Sequence, residues 1–287
     1  MAVKFEVGVF TATVGPTQVV SLADTGFGTP IAIILWSTSQ ASAPASGSFA
    51  GTSRIAIGFG TRRGGTTQSG SIAGIAIDAV ATSDVGDIWT NGSLLLMPST
   101  TTTLDYAVGL SSFGDAQFTV AYSNGNADGD IIHYAIFGGS DLTDANVINQ
   151  LMDSQGATEV VTGVGFQPSV MFGLDANEAT TVTPGSKHNF SFGVATSSTK
   201  FWSIACDATD GDTMANTMNW NRANRNDAFL ERLTNNADTS DARWDLDSFD
   251  SDGATLGVVD APSATDKTCP LLFIKGGFWE AGSKAKI

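Results

Sequence analysis

The chain has 287 residues with a net charge of −15, and only 15% of its residues are charged. Fourteen Lys and Arg against 29 Asp and Glu, with Arg62–Arg63 the only adjacent basic pair before residue 280, exclude a surface that grips a phosphate backbone. The longest apolar run, Ile31–Trp36, is too short for a membrane span, and 24 Asp, 5 Glu and 32 Gly favour turns over helices.

The opening segment MAVKFEVGVF alternates polar and apolar residues and lacks the continuous apolar stretch of a signal peptide. It reads as a strand within the fold. Runs rich in Val, Ile, Phe and Thr follow, separated by Gly, Asn and Asp clusters, as at Gln117–Tyr122 and Ile131–Phe137. One segment, Leu142–Met152 (LTDANVINQLM), carries apolar residues at helical spacing and precedes Gly156, so it is expected as a short helix.

The chain repeats itself. Gly15–Val20 recurs as Gly156–Val161, an offset of 141, and Pro30 with its apolar run recurs at Pro168, an offset of 138. Ile55–Gly58 matches Phe190–Gly193, Ser111–Phe113 matches Asp247–Phe249, and the closing run ending at Gly139 matches the one ending at Gly277. The expected fold is all-β: two tandem, internally duplicated β-sandwiches of jelly-roll-like character joined by the short helix. The expected limits are 1–140 for the first repeat, 141–156 for the connecting helix and 157–287 for the second repeat.

Catalytic signals are sparse. The histidines are His133 and His188, and in the linear alignment His133 falls opposite Leu271, which favours packing over chemistry. There is no GxSxG elbow and no GxxxxGK[ST] phosphate loop. Asn124–Asp130 opens like a calcium loop, but Ala135 occupies the place of the bidentate Glu, so a plain turn is expected. The acidic stretch Asp245–Gly253 reads as a solvated turn with Phe249 buried. Cys206 and Cys269 are expected as free, buried thiols. No cofactor, metal or catalytic residue is assigned. Of the six tryptophans, Trp89 and Trp220 lie between repeat blocks and are the candidates for an interface or ligand contact.

The segment TGVGFQPSVMFGL, followed by SFDSDGATLGVV and LLFIKGG, resembles a repeat of tailed-phage virion proteins. In that repeat a GxGFxP turn leads into an apolar strand and an F.SDGF.L segment precedes a late one. Gly163, Gly165, Phe166, Pro168, Phe249, Asp252 and Gly253 carry the match; the first repeat keeps the turn at Gly26–Pro30 and little of the later motif. The resemblance implies a non-enzymatic virion building block made in the host cytoplasm. Its expected role is capsid-surface decoration through contacts with capsid or other virion proteins, as a homo-oligomer. The alternatives are a tail-fibre or receptor-binding protein recognising a host glycan and, second, a carbohydrate-active enzyme using paired carboxylates.

Overall fold

The computed structural model describes residues 3–13, 15–38, 52–77, 84–100, 103–123, 129–152, 156–177, 187–209, 220–225, 227–233, 240–262 and 267–277. The first repeat contains β1 (Lys4–Thr11), β2 (Thr17–Ser21), β3 (Ala32–Ser37), β4 (Thr52–Arg63), β5 (Thr66–Ile77), β6 (Asp84–Thr90), β7 (Leu95–Pro98), β8 (Leu104–Gly114), β9 (Gln117–Ser123) and β10 (Ile131–Gly138). The second contains β11 (Leu142–Met152), β12 (Thr158–Val161), β13 (Val170–Asp175), β14 (Lys187–Ser197), β15 (Lys200–Thr209), β16 (Trp220–Arg225), β17 (Leu230–Leu233), β18 (Ser240–Asp250), β19 (Gly253–Asp260) and β20 (Lys267–Gly276).

The duplication extends to topology. The first repeat pairs a six-stranded sheet, β1-β10-β3-β4-β5-β6, with a four-stranded sheet, β2-β9-β8-β7. The second gives β11-β20-β13-β14-β15-β16 and β12-β19-β18-β17, the same orders advanced by ten strands. The last strand of each repeat nests between the first and third, as in a jelly roll, while β3–β6 and β7–β9 run as meanders. Local sequence sets the turns: Gly64 and Gly65, with φ of 57° and 86°, form the tight hairpin between β4 and β5.

The expected helix over Leu142–Met152 is a strand. As β11 it pairs with β20 just as β1 pairs with β10, and so it opens the second repeat. A register shift between Leu142 and Asp144 breaks the alternation, and both faces are apolar. Val147 packs toward the first repeat while Ile148 and Met152 pack into the second sandwich. An apolar pattern serving two faces, interrupted by a bulge, imitates a helical period.

Each sandwich has its own core, Leu35, Tyr106 and Phe118 in the first and Met171, Trp244 and Phe273 in the second. Gly58 and Gly193 occupy equivalent places on β4 and β14. A Cβ there would overlap the carbonyl of Leu94 or of Phe229, so both glycines let the facing chain come close. A third apolar cluster, including Ile34, Phe59, Ile72, Trp89, Val147, Val170 and Ile274, joins the two six-stranded sheets face to face. The result is four layers of sheet. The contact is not symmetric: the largest contacts are made by β4, β5 and β6 of the first repeat with β11, β13, β14 and β20 of the second, so only β4 and β14 are equivalent strands among them.

Register also corrects the linear alignment of the closing strands. Ala32 pairs with Phe137 and Val170 with Ile274. Ala32 and Val170 are 138 residues apart, but Phe137 and Ile274 are 137 apart, so His133 corresponds to Pro270 rather than to Leu271. The one-residue difference decides the face: Tyr134 and its true counterpart Leu271 both enter their own sandwich cores.

Candidate functional site

Two surfaces of the six-stranded sheets stand out: the seam where the repeats meet, and the margin of the same face that is left open.

The seam is held by an apolar cluster with specific polar contacts within it and around it. Arg63, at the end of β4, donates to the carbonyls of Val164 (3.1 Å) and Gly165 (3.2 Å). Its guanidinium lies 5.6 Å from the Phe166 ring centroid and 3.7 Å from the Asp144 carboxylate. Val147 N–H donates to the Thr61 hydroxyl (3.2 Å), Asn149 to the Ser69 carbonyl (3.1 Å), and Asn189 N–H to the Asp87 carboxylate (2.8 Å). Gly70 and Gly74 on β5 admit the side chains of Asn149, Pro270 and His188 against the backbone.

The turn that receives Arg63 is built by the motif residues. Gly163 and Gly165 have φ of 81° and 82°, and their N–H groups both donate to the Asp252 carboxylate. These two bonds, that to Gly165 foremost, hold the Asp252 carboxyl below its ordinary value. Phe166 drops into the second core. The GxGF turn and the SDG segment therefore touch, and their pairing is structural.

The open margin lies on β1. Phe5, Val7 and Val9 are 56%, 61% and 59% exposed, and Phe10 on the other face is buried. The Phe5 ring sits 5.1 Å from Phe137, a member of the inter-repeat cluster, so this apolar strip continues the covered face outward. On β15, Trp202 (40%) and Ile204 (52%) are also exposed, on the same face as Cys206, which packs against that cluster.

Trp89, expected at an interface, is buried in the seam at 6% exposure, with its indole N–H lacking an acceptor among the described residues. It serves an interface within the chain and offers no open stacking surface. Trp220 opens β16 opposite Asp207; its side chain lies outside the described residues. Trp202 was not singled out by sequence, although its alternation with buried Phe201 and Ser203 marks it as outward-facing.

Several titratable groups among the described residues are engaged in packing. His133 stacks on Trp36 at 5.6 Å with planes 9° apart, and burial holds the His188 imidazole below its ordinary value. Residues 124–128 of the calcium-like loop lie outside the described residues, and Asp130 accepts from the buried Tyr106 hydroxyl at 2.9 Å. In the second sandwich Arg232 is 2.8 Å from Asp175, with both side chains almost fully buried, and its guanidinium lies 5.3 Å from the Trp244 ring centroid. Asp245 and Asp247 converge over Gly257 on β18 and β19. Burial first, then the charge of Asp247, raises the Asp245 carboxyl. Phe249 is half-buried against the second core. Cys206 and Cys269 are free thiols belonging to different apolar clusters. Among the described residues no group of three or more His, Cys, Asp or Glu could hold a metal, and no helix is long and apolar enough to cross a membrane.

Compared with known proteins, the chain matches no family model, no curated protein and no solved structure.

Proposed function

We propose that the protein is a structural component of a tailed-phage particle, a decoration subunit on the capsid surface that works by protein–protein contact. The observation that carries this reading is the exposed apolar strip Phe5, Val7 and Val9 on a sheet edge, the kind of surface by which proteins associate. The motif residues that resemble phage repeats support it, since Gly163, Gly165 and Asp252 build a turn rather than a reactive site. A charge of −15 suits a position away from packaged DNA. A subunit that binds only the assembled shell would stabilise it by mass action.

Quantitative mass spectrometry of purified particles tests the assignment. Hundreds of copies per particle are expected, a few dozen would move the protein to the tail, and absence would overturn the virion reading. The exposed indole of Trp202 favours one second reading, a tail protein that stacks on a host glycan. Loss of host-cell binding in Trp202→Ala would support it.

A further inference from the structure

Among the described residues, strand β1 is the outer edge of its sheet and is bonded to β10 alone. Ala12, just past its end, donates N–H to the Asp130 carbonyl at 2.8 Å across this ladder. That bond sets the phase: Lys4, Glu6, Gly8 and Phe10 direct their backbone groups to β10, and Phe5, Val7 and Val9 direct theirs outward. The three residues with free backbone groups are therefore also the three with exposed apolar side chains.

Natural sheets guard such an edge with outward charge, proline or a bulge. Here the charges of β1 are tied down. Glu6 accepts from the Tyr134 hydroxyl at 2.7 Å and from Ala23 N–H and Asp24 N–H, and Lys4 pairs with Asp24 at 3.0 Å. The pairing of β1 with β10 is regular throughout, with no bulge.

The second repeat shows what becomes of this face. Phe5 and Ala145 hold equivalent places, opposite Phe137 and Ile274, so Val7 corresponds to Val147 and Val9 to Asn149. Ala145 and Val147 belong to the inter-repeat cluster, and Asn149 bonds to Ser69 of the first repeat. The face that is an interface on β11 is left open on β1, and the Phe5–Phe137 contact joins the two.

We infer that the occupant is a second copy of this chain, whose β1 pairs antiparallel with the first about a twofold axis at Val7. The sequence of the strand matches itself in this register. Val7 meets Val7, Phe5 meets Val9, Glu6 meets Gly8 and Lys4 meets Phe10, so apolar side chains stack on one face and no like charges oppose. Phe5, Val7 and Val9 each exchange both backbone groups with the partner strand, and two six-stranded sheets become one continuous sheet. The pairing rests on the same strip that supports the particle assignment and names a second copy of the chain as what it holds; solution mass tests the pairing, and copy number per particle tests the assignment.

Sedimentation of the purified full chain is expected to give twice the 29.7 kDa chain mass. Val7→Lys halves that mass with an unchanged circular dichroism spectrum, while Val19→Lys, at an equally exposed valine of β2, leaves it intact. Paired Val7 Cα atoms would lie about 5.5 Å apart, within disulfide reach. Val7→Cys is therefore expected to cross-link on oxidation, and Val19→Cys is not. A one-chain mass for the natural protein throughout a dilution series, or equal cross-linking at the two positions, would overturn the pairing. A one-chain mass together with loss of shell binding in Val7→Lys would also overturn it, assigning the strand to a particle protein instead.

Discussion

The Arg63 guanidinium of the first repeat lies 5.6 Å from the Phe166 ring centroid in the second. It also donates to the carbonyls of Val164 and Gly165 in the tight turn. Arg63→Ala should destabilise the full chain by about 1–2 kcal/mol in chemical denaturation, the stacking and hydrogen-bond losses being tempered by the exposure of the side chain. Arg63→Lys keeps the charge but not the planar fork and should recover less than half of that loss. Equal stability of all three proteins would show that the clasp contributes nothing.

Asp252 makes the turn acid-sensitive. Its folded carboxyl titrates below the ordinary value of 3.8 because the Gly165 and Gly163 N–H groups bond the charged form. The sign follows from linkage: the contribution is complete above the unfolded value and is lost as pH falls through the folded one. Asp252→Asn is expected to flatten the fall in stability between about pH 5 and pH 2. Superimposable acid limbs for the two proteins would contradict this.

The buried pair of Arg232 and Asp175 behaves differently, because neither charge can be solvated if its partner goes. Asp175→Leu or Arg232→Met alone should cost about 3–5 kcal/mol, and the double replacement less than either. A double-mutant cycle in urea reads the coupling directly. Additive losses would mean that the charges are not coupled.

Burial pushes the Cys206 thiol up to about 11 and raises that of Cys269 as well. The thiolate is the reactive form, so neither should be alkylated by iodoacetamide at about pH 8 in the folded chain. Both should react in denaturant, adding two adducts by mass. Rapid native labelling of either would contradict the described packing.

Glycine at sheet-to-sheet contacts supplies a prediction that tests the duplication itself. Gly58→Ala and Gly193→Ala would each press a methyl group against a facing carbonyl, of Leu94 or of Phe229. Each should destabilise by about 1–3 kcal/mol in thermal or chemical unfolding, comparably in the two repeats. A loss confined to one of them would show that the repeats do not share this contact.

Composition and turn chemistry were enough to read the all-β class, because strands and tight turns are local events governed by β-branched residues, Gly and Asp. The duplication was also legible, since Gly58 and Gly193, or Phe113 and Phe249, keep their spacing when the fold is copied. Three features were not. The segment Leu142–Met152 is apolar toward two partners, and only pairing with β20, distant in sequence, decides that it is a strand. Trp89 has no pattern that distinguishes exposure from burial by another domain, and the stacking of the second repeat is what covers it. The open strip on β1 alternates like any half-buried strand. Its exposure depends on where the second repeat stops, and long-range packing sets that limit beyond the reach of local periodicity.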